Sequence, residues 1–112
     1  ACISTYLSDL CTDETIEWQE VKGWEPNWSS PKSKPALALS SAFTKVTGRQ
    51  AAFVTRVPAS DASRWRALGI PSVCFGPQPE LVSGVDDYVN ETNFVDCIEV
   101  YRLACLELLA QA

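Results

Sequence analysis

The sequence predicts an α/β protein in which a mostly parallel sheet is flanked by helices. Three observations carry that expectation. From residue 35 onward, helical spacing and short apolar runs alternate in the order α-β-α-β-α, the order that parallel strands joined by helical crossovers require. The two runs, AAFVT at 51–55 and IPSVCF at 70–75, are short, rich in β-branched and aromatic residues, and bounded by turn formers. The helical segment before each run ends at a glycine, Gly48 or Gly69, as left-handed helix stops do.

Taken in order, residues 2–11 read as a short helix. Residues 15–24, TIEWQEVKGW, alternate Ile16, Trp18 and then Val21 with polar residues, which predicts a half-buried strand. Cut off from a sheet, such a strand presents an open edge and is expected to pair with another chain or to pack on the core. Residues 25–34, EPNWSSPKSK, are Pro- and Ser-rich and read as a crossing segment. Pro35 then opens a helix to Thr47, with Leu39, Ala42, Phe43 and Val46 at helical spacing. After the run at 51–55, Ser60 or Asp61 can cap a helix over 62–68 that Gly69 ends. Gly76-Pro77 closes the run at 70–75, and 78–85 is a long loop. Asn90 caps a last helix over 91–110, with Phe94, Cys97, Ile98, Tyr101, Cys105, Leu108 and Leu109 as a one-faced apolar stripe.

Composition excludes several functions. The 112 residues make one domain or less, and 46% hydrophobic residues indicate a folded chain rather than a disordered one. A net charge of −5 argues against nucleic acid and against an anionic membrane surface as partners. No apolar run approaches the roughly 18 residues of a membrane helix, and no signal-peptide pattern opens the chain. Methionine is absent, so residue 1 is not an untouched translation start. The expectation is a piece of something longer, with initiator removal before Ala1 as the alternative. The five cysteines form no CxxC pair and the chain has no histidine, so Cys2, Cys11, Cys74, Cys97 and Cys105 read as small buried hydrophobes in a reducing cytoplasm. Cys97 and Cys105, eight apart, are expected on one helix face. The triplets Asn27-Trp28-Ser29 and Asn90-Glu91-Thr92 match the glycosylation pattern and are read as accidental.

The most informative stretch is 69–91, GIPSVCFGPQPELVSGVDDYVNE. It reads as buried strand, Gly-Pro turn, irregular loop, acidic-aromatic piece and helix start. That order, with these residues, resembles the C-terminal end of the di-metal aminoacylase, carboxypeptidase and succinyl-diaminopimelate desuccinylase family of amidohydrolases. In that family the loop after FGP delivers a histidine to a metal ion, and counting the same spacing from Gly76 lands on Ser83. The resemblance implies a fragment of a zinc-peptidase-like catalytic domain. Residues 27–112 would be the C-terminal part of that domain, and residues 1–26 the helix-strand end of an inserted lid or dimerisation domain. It implies a parent that cleaves amide bonds with a metal-bound water, with its metal ligands and general base upstream of residue 1. A divalent, zinc-like metal is then expected for the parent and none within this chain. The expected partners are the upstream part of the same protein, a small peptide or N-acyl amino-acid substrate, and a second copy in a homodimer. Alone, the chain is expected to be inactive. The alternative is a non-catalytic relative that keeps the fold for binding or assembly.

Within the chain, substrate-facing roles fall to Ser60, Asp61, Gly76 and Ser83. The segment Ser60-Asp61-Ala62 matches a small-residue, aspartate-containing segment at the rim of the family's substrate site. Free N–H groups at a helix start can meet an anionic group; a simple helix cap is the competing account. Gly76 lets backbone approach a ligand at the carboxyl edge of a sheet, or serves only the turn. Ser83 can hydrogen-bond a substrate or water, but a neutral hydroxyl replaces imidazole poorly at a zinc-type site. Asp86 and Asp87, adjacent on an extended segment, point to opposite faces and do not share one ion. Arg64 and Arg66 read as surface ion-pair formers. Trp18, Trp24 and Trp28 read as boundary packing in preference to a sugar or base platform. Without histidine, a serine or cysteine nucleophile lacks its usual base.

Overall fold

Helix propensity and glycine stops are realised closely in the computed structural model, which describes residues 3–11, 17–19, 21, 25–55, 60–80 and 85–110. Helix α1 spans Ile3–Leu10. Helix α2 spans Lys34–Thr47, with Pro35 in its first turn, where a missing N–H costs nothing. Gly48, at φ 69°, ends α2 by donating its N–H to the Thr44 carbonyl; a side chain there would be strained. Helix α3 is the short Ala62–Ala67, followed by Gly69 at φ 78°. Helix α4 spans Glu91–Leu109, and Asn90 Oδ1 accepts the Thr92 N–H to cap it. The expected strand at 15–24 lies largely outside the described residues.

The predicted parallel sheet is not formed among the described residues. Among the described residues, the ladder structure is β1, Pro79–Glu80, paired antiparallel with β2, Tyr88–Val89, in the register Pro79 to Val89 and Glu80 to Tyr88. The runs 51–55 and 70–75 carry no ladder. Side chains occupy backbone groups that a ladder would use. Ser29 Oγ donates to the Ser72 carbonyl at 2.8 Å and accepts the Ser72 N–H at 2.9 Å. Arg66 Nη1 donates to the same carbonyl at 2.9 Å, and the Tyr101 hydroxyl donates to the Phe75 carbonyl. Pro71 and Pro77 bring no donor at all. At 70–75 a strand-like composition is held by side chains instead of a ladder, and the fold is helix-rich rather than α/β.

The core sits where α2 crosses α4. Ala36, Ala38 and Ala42 of α2 and Cys97, Val100 and Ala104 of α4 are buried. Leu39, Phe43, Val46, Phe75, Leu103 and Leu108 pack around the centre of this cluster. Small side chains at the crossing let the two backbones approach closely, so dispersion contacts are dense although the core is small. Among the described residues Val100 is the largest fully buried side chain. The predicted stripe on α4 is split. Cys97 faces the core, whereas Phe94, Ile98, Tyr101 and Leu109 are exposed. Cys97 and Cys105, eight residues apart, differ by about 80° around a helix, and one is buried while the other is exposed. Cys74 is exposed and Cys11 half-buried, so the expectation of buried cysteines holds for Cys97 alone among the described ones. The radius of gyration, 19.3 Å, exceeds the roughly 13 Å of a compact domain of this length.

Candidate functional site

The C-terminal end of α2 builds one wall of a cavity. The Thr47 hydroxyl donates back to the Phe43 carbonyl at 2.8 Å and accepts the Arg49 N–H at 3.2 Å. The left-handed turn at Gly48 thereby directs Arg49 back over α2, and its guanidinium lies 5.6 Å from the Phe43 ring centroid, in cation–π range. A second wall is the segment 75–78. Phe75 meets Phe43 edge-on at a centroid distance of 6.0 Å and Tyr101 at 5.5 Å. With the Tyr101 hydroxyl on its carbonyl, Phe75 is held from both sides, and Gly76, Pro77 and Gln78 follow at the rim. The third wall is α4, where Asn93, Asp96, Cys97 and Val100 follow one another at spacings of three, one and three residues, on a single face. These eleven residues enclose about 230 Å³.

The electrostatics are mixed. Burial first, and the Asp96 carboxylate second, push the Cys97 thiol up from its ordinary value, so it stays protonated and forms neutral floor rather than a thiolate nucleophile. Burial first, then the neighbouring Cys97 and Cys74, pushes the Tyr101 phenol up. On the far side of α4, Arg102 holds the Glu99 carboxyl below its usual range through hydrogen bonds at 2.6 and 2.8 Å.

The residues expected to face substrate are only partly gathered. Gly76 lines the cavity. Ser60 is half-buried and accepts a hydrogen bond from Cys74 Sγ at 3.3 Å, two residues before Gly76, but it does not line the cavity. Its carbonyl accepts both the Ser63 N–H and the Ser63 hydroxyl. Asp61 is exposed, makes no side-chain cap bond to α3 and lies 3.6 Å from Arg64. Ser83 lies outside the described residues. Asp86 and Asp87 are exposed in the turn before β2. Arg66, expected at the surface in an ion pair, is half-buried and bonds Asn27 Oδ1 at 2.8 Å as well as Ser72. Asn27 also donates to the Ser63 carbonyl at 3.0 Å, so the first glycosylation-like triplet contributes a structural asparagine. Trp28 is exposed, Trp18 is half-buried and Trp24 lies outside the described residues.

Among the described residues, no group of three or more His, Cys, Asp or Glu is placed to hold a metal ion. With no histidine in the chain, the residues present do not fit the metal that the resemblance implies, and no chemical step is derived through it. The sequence reading missed Phe43, Arg49, Asn93 and Asp96 as site formers. The one-face spacing from Asn93 to Val100 was legible, but its convergence with Arg49 depends on how α2 crosses α4. No family model, curated protein or solved structure matches the chain. Likewise, among the described residues no helix is long and apolar enough to cross a membrane.

Proposed function

We propose that this chain is a part of a metal-dependent amidohydrolase- or peptidase-like protein and supplies substrate-facing backbone and packing surface rather than catalytic groups. The observation that carries the reading is the stretch 69–91, whose Gly-Pro turn follows an apolar run and precedes an acidic-aromatic piece and a capped helix. The placement of Gly76 at the rim of a cavity supports it. The absence of the parallel sheet removes fold-level support, so the reading stands on that stretch. The metal, the activated water and the general base would come from residues outside this chain, and the substrate would be a small peptide or an N-acyl amino acid. A second reading is a non-catalytic relative used for binding or assembly. Two observations favour it: Ser83 stands where the family pattern calls for histidine, and α4 leaves large apolar side chains uncovered.

The test separates the two. The chain alone is expected to release no product from N-acyl amino acids with zinc, cobalt or manganese present. Metal-dependent hydrolysis by the chain alone would overturn the assignment of catalysis to residues elsewhere. In a longer protein that contains this chain, Ser83→His should raise metal uptake, read by equilibrium dialysis, if the loop points at a metal site. Unchanged uptake, with no hydrolysis by the longer protein, leaves the assembly reading.

A further inference from the structure

We propose that the cavity between α2, the 75–78 segment and α4 is a binding site for a small zwitterionic amino acid with an apolar side chain. The inference stands on the cavity and does not depend on the amidohydrolase reading. Its floor is apolar: Phe43, Phe75, Val100 and the protonated Cys97. Its rim carries one cation, Arg49, one anion, Asp96, and two amides, Gln78 and Asn93.

The decisive observation is that these two charges line one cavity without neutralising each other. Among the described residues, the ion pairs are Lys45–Glu107, Arg64–Asp61 and Arg102–Glu99, and neither Arg49 nor Asp96 belongs to one. Arg49 is instead held over Phe43, which restrains its guanidinium at the mouth. Asp96 is half-buried on the α4 wall. A simple anion would gain Arg49 but meet Asp96; a simple cation would gain Asp96 but meet Arg49. A neutral apolar ligand would leave both charges facing it as they lose water, which is costly. A zwitterion meets both, with its carboxylate toward the guanidinium, where paired hydrogen bonds are favourable. Its ammonium group then faces Asp96, and the side chain covers the aromatic and aliphatic floor. The cavity, about 230 Å³ and half open, admits an aliphatic amino acid such as valine or leucine.

The experiment is titration calorimetry on the whole chain with L-leucine, N-acetyl-leucine and leucinamide. Leucine is expected to bind with millimolar affinity. Removing either ligand charge should weaken binding about tenfold or more, as should Arg49→Gln or Asp96→Asn. Because Arg49 is exposed, its variant should keep the wild-type circular dichroism, which separates lost binding from lost folding. The site is overturned if leucine fails to bind at tens of millimolar, or if both charge variants bind it as the wild type does. It is equally overturned if N-acetyl-leucine binds as well as leucine. N-acetyl-leucine binding as well as leucine would favour an N-acyl substrate at this cavity, whereas the amidohydrolase reading itself is decided separately, by metal uptake and hydrolysis in the longer protein.

Discussion

At Asn90 and Ser33 two helices begin in the same way on paper and differently in space. Both residues are good caps by type, and both have extended backbone. Asn90 Oδ1 accepts the Thr92 N–H at 2.9 Å, whereas the Ser33 hydroxyl is buried without a hydrogen-bond partner. Asn90→Ala should therefore lower stability by about 1 kcal/mol, the usual loss for a working cap. Ser33→Ala should be neutral or slightly stabilising, because it removes an unsatisfied polar atom. Urea denaturation checks both; equal losses would show that Ser33 caps in solution. Cys97 and Tyr101 make a second residue-scale prediction. Both hold their protons more tightly in the fold than their ordinary values of 9.0 and 10.0. Their contribution to stability is complete below those values and is lost as pH rises through the raised ones. Stability should thus fall above pH 9.0, and Tyr101→Phe should flatten the part of that fall that begins near pH 10.0. A denaturation midpoint that stays constant through that range would contradict it.

At the scale of elements, α2 and α4 decide the architecture. Their crossing is lined with alanines, and Ala42 has no exposed surface. Enlarging it to leucine should push the helices apart and cost about 1–3 kcal/mol, read as a lower urea midpoint. The same change at Ala52, exposed in the 51–55 run, should be nearly neutral. Helix α4 also shows why its apolar stripe misled. Its apolar residues cover more than one face, the pattern of a helix buried on several sides. The tertiary structure uses the Cys97, Val100 and Ala104 face for α2 and leaves Phe94 (52% exposed) and Ile98 (58%) uncovered. Spacing alone does not rank two adjacent apolar faces. The helix ends were legible because they depend on single residues: Gly48, Asn90 and Pro35 act locally. The run at 70–75 forms no strand because an apolar β-branched run becomes one only when a neighbouring strand takes its backbone bonds. Here Ser29, Arg66 and Tyr101 take bonds at Ser72 and Phe75 instead.

For the whole molecule, surface is the dominant fact. Val21, Phe53, Val54, Trp65, Leu68 and the outer residues of α4 remain exposed around a core of mostly alanine. Scattered apolar side chains are ordinary on a protein surface, but neighbours on one helix face make a patch that binds apolar probes. The chain should enhance the fluorescence of an anilinonaphthalene sulfonate dye without denaturant. The pair Phe94→Ser and Ile98→Ser should reduce that signal by roughly half or more if α4 carries the main patch. An unchanged signal would place the patch elsewhere. Such a surface agrees with a chain that works against other protein mass, which both functional readings require.

The candidate site divides along the same line. The turn at Gly76 was legible because a glycine before proline marks a turn by its own backbone freedom. Arg49 and Asp96 were not, since they are 47 residues apart in the chain and line one cavity only because α2 crosses α4. By itself the sequence determined the helix boundaries, the acidic charge and the lack of an imidazole. These are properties of single residues, their immediate neighbours, or sums over residues. Tertiary structure alone decided that the apolar runs form no sheet, which face of α4 is core, and which charges share a cavity. Each of those depends on which distant group reaches a backbone bond or a packing site first.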